Sequence, residues 1–146
     1  MPFPGSISLF DQLLCPDPPT HALRTLAQME RGGNVVDAAI ASSAALCVTQ
    51  NNLCGLGGDM FALVRMDGKG ITDYNGSGRS FSRASIEHFQ NLGLKVLPSR
   101  GPNSALTVPG IVSMWKRLNK DFGTMEIRDL LEPAIGLAKK RVSHDP

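Results

Sequence analysis

The sequence predicts an α+β fold, and three stretches carry that expectation. Val35 to Cys47 is a run of small and apolar residues of helical length. Met60 to Met66 alternates like a strand and is followed by the turn residues Asp67-Gly68-Lys69-Gly70 and a second extended run, Ile71 to Tyr74. The C-terminal part then shows two helical patterns, one with Ile111, Met114, Trp115, Leu118 and Phe122 on a face, the other with Ile127, Leu130 and Leu131. At 146 residues the chain has the length of one ordinary domain.

The elements follow in order. Residues 1–21 read as an arm, because Pro2, Pro4, Pro16, Pro18 and Pro19 oppose continuous helix. Ala22 to Arg31 carries a short helical pattern that Gly32-Gly33 ends, supplying a backbone position that a Cβ resists. Asn34 is a suitable N-cap for the alanine-rich helix, and Asp37 stands three residues on, as in a capping box with a shorter acid. That helix is apolar all round, which predicts burial on most faces. A glycine-rich turn, Gly55-Leu56-Gly57-Gly58-Asp59, leads into the hairpin, and Asn75-Gly76-Ser77-Gly78-Arg79 is a loop after it. Ser85 caps a short helix running to Leu92, and Leu94 to Leu97 reads as a brief strand. Thr107-Val108-Pro109 opens the next helix with proline in its first turn, and Gly123 closes it. Thr124 caps the last helix, which Pro133 is expected to break or restart. Residues 141–146 form a tail.

Composition excludes several function classes. The net charge is +2 and no lysine–arginine cluster is dense enough to follow a phosphate backbone, so nucleic acid is not an expected partner. No apolar run reaches membrane-spanning length, and the N-terminus lacks the pattern of a secretory signal. Three cysteines do not make a disulfide framework. The expected compartment is the cytoplasm. Charged residues are only 19% of the chain, alongside 15 glycines and 10 prolines; a composition so poor in charge suits a surface that a partner covers.

Read for chemistry alone, the residues name no function. Gly55-x-Gly57-Gly58 offers successive backbone N–H groups, but it lies between a helix and a strand, the reverse of a dinucleotide loop. Cys15, Cys47, Cys54, His21, His88 and His144 show no metal-ligand spacing, and no base stands near Cys54 to make it a nucleophile. Asp59 and Asp73 are carboxylates at loop edges, explained by turn chemistry. No metal, cofactor or catalytic residue is expected among these groups.

Two longer stretches carry a resemblance. Gly32-Gly33-Asn34-Val35-Val36-Asp37-Ala38-Ala39-Ile40-Ala41, then Gly55-Leu56-Gly57-Gly58-Asp59-Met60-Phe61-Ala62-Leu63-Val64, resemble the GGNAVDAAIA and SGIGGGGFMLVY segments of the γ-glutamyltransferase family. Val108-Pro109-Gly110-Ile111-Val112 and Leu130-Leu131-Glu132-Pro133-Ala134 to Ala138 resemble its VPGTVAG and LLEPAIRLA segments, in the same order. The similarity spans residues 22–140. It implies an N-terminal-nucleophile hydrolase of αββα architecture, of which this chain supplies helices on an incomplete sheet. It further implies a precursor that cuts itself, and a new N-terminal threonine that attacks a γ-glutamyl amide before water or an amino acid takes the acyl group.

The departures shape the expectation as much as the match. No threonine here stands in the family's Thr-Thr-His segment, so the chain is expected to lack the nucleophile-bearing part, to be truncated and to be inactive alone. The family's arginine that grips the α-carboxylate aligns at Ser77, and Arg79 lies two residues later. Arg79 and Ser77 are therefore the expected substrate-binding residues, with Arg83 a weaker candidate. Gly32, Gly33, Asn34, Asp37, Gly55, Gly57, Gly58 and Asp59 are the expected structural motif. The expected ligand is a small γ-glutamyl or amino-acid compound. The expected partner is a second copy or a second chain carrying the catalytic part. The competing reading is a non-catalytic binding or scaffold protein that keeps the carboxylate site.

Overall fold

The computed structural model describes residues 6–8, 30–101, 104 and 107–139. The proline-rich arm, all but the end of the helical pattern at 22–31, and the tail at 141–146 therefore lie outside the described residues, apart from 6–8. Three strands form one antiparallel sheet in the order β1 (Ser6–Ser8), β2 (Met60–Met66) and β3 (Gly70–Gly76). Four helices follow the chain as α1 (Val35–Thr49), α2 (Ile86–Asn91), α3 (Ile111–Phe122) and α4 (Ile127–Lys139). None of them is long and apolar enough to cross a membrane.

The α1 helix is the centre of the core. Asn34 caps it, its side chain accepting from the N–H groups of Val36 and Asp37, while the Asp37 carboxylate accepts from the Asn34 N–H. Its alanines leave no bulk to hold neighbours away, and residues from Val36 to Leu46 are all buried. α4, α3 and β1 pack around it. The remaining core comes from Met60, Ala62 and Val64 of β2, Ile111, Met114, Trp115 and Leu118 of α3, and Leu130 and Ala134 of α4. Burying each of the larger aliphatic side chains contributes roughly 1.5–3 kcal/mol. Inside this core the Trp115 indole N–H donates to the Ser43 hydroxyl at 3.1 Å, so neither polar group is buried unpaired.

The hairpin register pairs Met60 with Gly76, Ala62 with Tyr74 and Val64 with Thr72, which puts these residues on one face, where Met60, Ala62, Val64 and Gly76 are buried. The alternate residues, Phe61, Leu63 and Ile71, lie on the opposite face and are 54%, 41% and 71% exposed. The face of β2 turned away from the helices thus carries two exposed apolar side chains, Phe61 and Leu63, beside Arg65. Exposed apolar side chains grouped on one sheet face suit a surface that another element covers.

Four local expectations are corrected. Helix α3 begins at Ile111 rather than at Thr107, because Val108 precedes a proline and so avoids helical backbone. Thr107 instead bridges to Ser80, and the Val108 N–H donates to the Arg79 carbonyl. Residues 94–97 are irregular, with a bend at Lys95-Val96 and not a strand, and no segment among the described residues pairs with them. α4 runs through Pro133 without a break; the anchoring of Leu130 and Ala134 in the core outweighs the missing N–H. Thr124 does not cap α4 either, because its hydroxyl donates to Asp37 instead.

Candidate functional site

The open end of the hairpin, where β2 begins and β3 ends, is where the sequence motifs meet. Three segments converge there: Gly58-Asp59, Asn75 to Ser80, and Thr107 to Gly110. The Gly58 carbonyl accepts from the N–H groups of Gly110 at 3.1 Å and Ile111 at 3.2 Å, which occupies donors at the start of α3. The glycine-rich turn therefore serves as a cap for a helix through its carbonyl, and that helix end is not an anion cradle.

Glycine makes the close approach of these backbones feasible. A Cβ on Gly110 would lie 1.9 Å from the Gly76 carbonyl oxygen, and one on Gly78 would lie 1.8 Å from the Val108 carbonyl oxygen. Gly78 also has a φ of 69°, a left-handed conformation that side-chain-bearing residues seldom adopt. By contrast, a Cβ on Gly55 or Gly57 would meet nothing within 4 Å.

The polar residues of the site sit on this frame. Asn75 accepts from the Ser77 N–H at 3.0 Å, forming a local turn that starts the loop. Arg79 is fixed through its backbone, its carbonyl accepting from Val108 N–H at 2.9 Å, while its side chain is exposed. Asp59 is also exposed and accepts from the Thr107 hydroxyl through Oδ1 at 3.4 Å. Ser77 is half-buried. Arg83 lies further on, exposed, in the turn before α2. Gly32, Gly33, Asn34 and Asp37 belong to a different locus, the start of α1, and do not join the loop cluster. Gly32 does have the positive φ, 92°, expected of a residue that ends one helix before the next.

Thr107 is the site residue that the sequence reading passed over. Its position just before a Val-Pro-Gly segment was the available signal. Among the described residues no group of three or more His, Cys, Asp or Glu side chains is placed to hold a metal ion. Cys47 and Cys54 lie near one another at the end of α1; burial, and secondarily Cys54, pushes the Cys47 thiol up to about 11. A thiol so poorly ionised is a weak nucleophile at neutral pH.

Helices on one face of an antiparallel sheet, whose other face leaves Phe61, Leu63 and Ile71 uncovered among the described residues, fit a portion of an αββα N-terminal-nucleophile hydrolase sandwich. The solved structure of a cephalosporin acylase from Bacillus halodurans superposes with a TM-score of 0.79 and 34% identity over 94% of this chain and 24% of that one. Helicobacter pylori gamma-glutamyltranspeptidase superposes with a TM-score of 0.74 and 27% identity, over 91% of this chain and 38% of that one. The family model described as gamma-glutamyltranspeptidase matches residues 24–144, and the chain belongs to that family. Among curated proteins it is 42% identical over 112 residues to the glutathione hydrolase-like YwrD proenzyme of Bacillus subtilis (strain 168), covering 76% of this chain and 21% of that protein. It is 35% identical over 119 residues to the oxamate amidohydrolase proenzyme of Klebsiella pneumoniae, covering 78% of this chain and 22% of that protein. The chain thus spans about a fifth of the length of these curated relatives.

Proposed function

We propose that these residues form the N-terminal portion of a γ-glutamyltransferase or glutathione-hydrolase-like enzyme, and that they hold the substrate's α-carboxylate while the threonine nucleophile is carried by polypeptide outside them. The observation that supports this best is the convergence of the motif segments at one end of the sheet, with Arg79 next to Gly78 on the loop that packs against Val108. Arg79 offers the planar fork that pairs with a carboxylate in two parallel hydrogen bonds, and Ser77 adds a hydroxyl beside it. The positive φ of Gly78 turns the chain between them. That turn supports a shift of the carboxylate-gripping role from position 77 to Arg79.

The chemistry then divides between two parts. A threonine hydroxyl adds to the γ-carbonyl, the amide C–N bond breaks, and the amine leaves with the proton that its base has taken. Water or an amino acid next attacks the resulting ester and regenerates the hydroxyl. The residues described here bind and orient, and contribute no nucleophile. The nucleophile-bearing part is proposed to pack on the exposed sheet face of Phe61, Leu63 and Ile71. A cytoplasmic location is part of this proposal.

Purified chain should give no turnover of a chromogenic γ-glutamyl anilide. Co-expression with the Bacillus subtilis YwrD relative lacking its matching N-terminal segment should give turnover that Arg79→Ala lowers at least tenfold, as expected for a lost charge-assisted contact. Robust turnover by the chain alone overturns the division of labour. Assembly into a homo-oligomer that ignores the complementing part overturns the proposed docking.

A further inference from the structure

We propose that the groove between α2 and residues 93–97 is a docking site for an acidic segment of a partner protein. Apolar side chains of that segment fill the groove, and its carboxylates meet the lysine that lines it. The surface is built from other residues than the loop cluster, and it does not depend on the role proposed there for Arg79.

The groove follows from how α2 ends. Gly93 has a φ of 74°. Its N–H donates to the Gln90 carbonyl at 2.9 Å, and the Leu94 N–H donates to the Phe89 carbonyl at 3.1 Å. These are the paired bonds of a glycine helix stop, which turns the chain back on itself. A recess of about 750 Å³ results, lined by Ile86 and Phe89 of α2 and by Leu94, Lys95, Val96 and Leu97 after the turn. Edge contact with the Phe81 ring, at 6.0 Å between centroids, supports Phe89 from outside the helix.

Packing of the fold does not account for these apolar residues. Among the described residues, none between 81 and 101 belongs to the hydrophobic core or packs against it. Ile86 and Val96 are 79% and 81% exposed, and Leu97 is 42% exposed. Exposed apolar side chains gathered at one recess mark a surface that a partner covers. Small-ligand pockets bury most of their ligand, which walls this exposed cannot do. A peptide covers the rim together with the floor.

Charge selects the occupant. Within residues 79–101, Arg79, Arg83, Lys95 and Arg100 stand against Glu87 alone, a surplus of three that exceeds the chain's net +2. All five residues are exposed. Among the described residues the ion pair joins Arg117 to Asp121, so none of these five takes part in one. Lys95 lines the recess itself, and Arg83 directly precedes the lining residue Ala84. A second copy would bring the same positive surplus against this one, and like charges oppose that pairing. An anionic bilayer would satisfy the charge, but side chains that wall a recess insert less of their surface into lipid than ones that project. An acidic segment with apolar side chains satisfies both charge and shape.

Fluorescence anisotropy of a fluorescein-labelled peptide of alternating glutamate and leucine tests this on the full chain. The peptide should bind, with an affinity that falls as salt rises. Peptides of alternating lysine and leucine, or of glutamate and serine, should bind at least about tenfold more weakly. Val96→Ser and Lys95→Ala should each lower affinity about tenfold, and Lys95→Ala should also reduce the salt dependence. Both positions are exposed, so neither change should disturb folding, which far-UV circular dichroism checks. Failure of the glutamate–leucine peptide to bind, or binding that both variants leave unchanged, overturns the proposal. Sedimentation velocity showing a dimer that Val96→Ser dissolves overturns it in favour of a second copy. Phosphatidylglycerol vesicles that bind the chain where the peptide does not overturn it in favour of a membrane surface.

Discussion

The Asp37 carboxylate accepts from the Thr124 hydroxyl at 2.6 Å and from the Thr124 N–H at 3.1 Å, across 87 positions of sequence. One side chain thereby caps the start of α1 and fastens the turn between α3 and α4 to it. The Asn34 amide strengthens the joint by donating to the Phe122 carbonyl at 2.6 Å. Asp37 is fully buried, so its charge is acceptable only because these donors surround it.

Asp37→Ala should therefore cost more than a helix cap alone. Loss of the carboxylate leaves the N–H groups of Asn34 and Thr124 without their acceptor, and about 3 kcal/mol of destabilisation is expected. Urea unfolding followed by circular dichroism measures it. Thr124→Val, which removes one donor, should cost about half as much.

Glycines of the two loop segments should respond very differently to an added side chain. Gly110→Ala forces a Cβ onto the Gly76 carbonyl, a backbone atom that cannot swing aside, and should destabilise by about 2–4 kcal/mol. Gly55→Ala meets open space and should change stability by less than about 0.5 kcal/mol. Paired thermal melts distinguish the two positions directly.

The Tyr74 hydroxyl donates to Asp121 at 2.9 Å, and Arg117 Nε donates to the same carboxylate oxygen at 2.6 Å. Burial first and Asp121 second raise the Tyr74 phenol above its ordinary value, while the bonds from Arg117 and Tyr74 lower the Asp121 carboxyl. Ultraviolet titration should show Tyr74, the one tyrosine of the chain, ionising later than a model phenol. Asp121→Asn should move it earlier. Because the folded-state Asp121 carboxyl is depressed, its contribution to stability is present above the unfolded value near 4 and fades as pH falls through the folded one. The acid limb of a pH–stability curve should accordingly flatten in Asp121→Asn.

Cys47 should resist alkylation at pH 8 and become reactive only as the pH nears 11. Its pKa is raised on folding, so the stability it contributes is complete below the unfolded value near 9 and is lost as pH climbs through about 11. Between those limits stability should decline by on the order of 2 kcal/mol. Cys47→Ala should remove that part of the decline. Iodoacetamide mapping by mass spectrometry and urea melts across pH 8–11 provide the two readings.

What the sequence determined by itself was whatever depends on neighbours along the chain. Asn34 and Asp37 sit three apart, so the capping box was legible, and the alternation of Met60 to Met66 set out β2 to the residue. The order of the motif segments was enough to carry the family resemblance. Tertiary structure decided what depends on residues far apart in sequence. Asp37 reads locally as a cap, but its bonds to Thr124 require α3 and α4 to have folded back onto α1. Pro133 reads as a breaker, yet core packing of Leu130 and Ala134 exceeds the cost of one missing hydrogen bond. The loop cluster was legible only as separate glycine-rich pieces, because the contact of Gly110 with Gly76 and the sharing of Thr107-Val108 by Asp59 and Arg79 arise when the hairpin end meets the start of α3. Local propensity acts over a few residues, whereas a site is made by backbones that approach within a few ångströms after the chain has closed long loops.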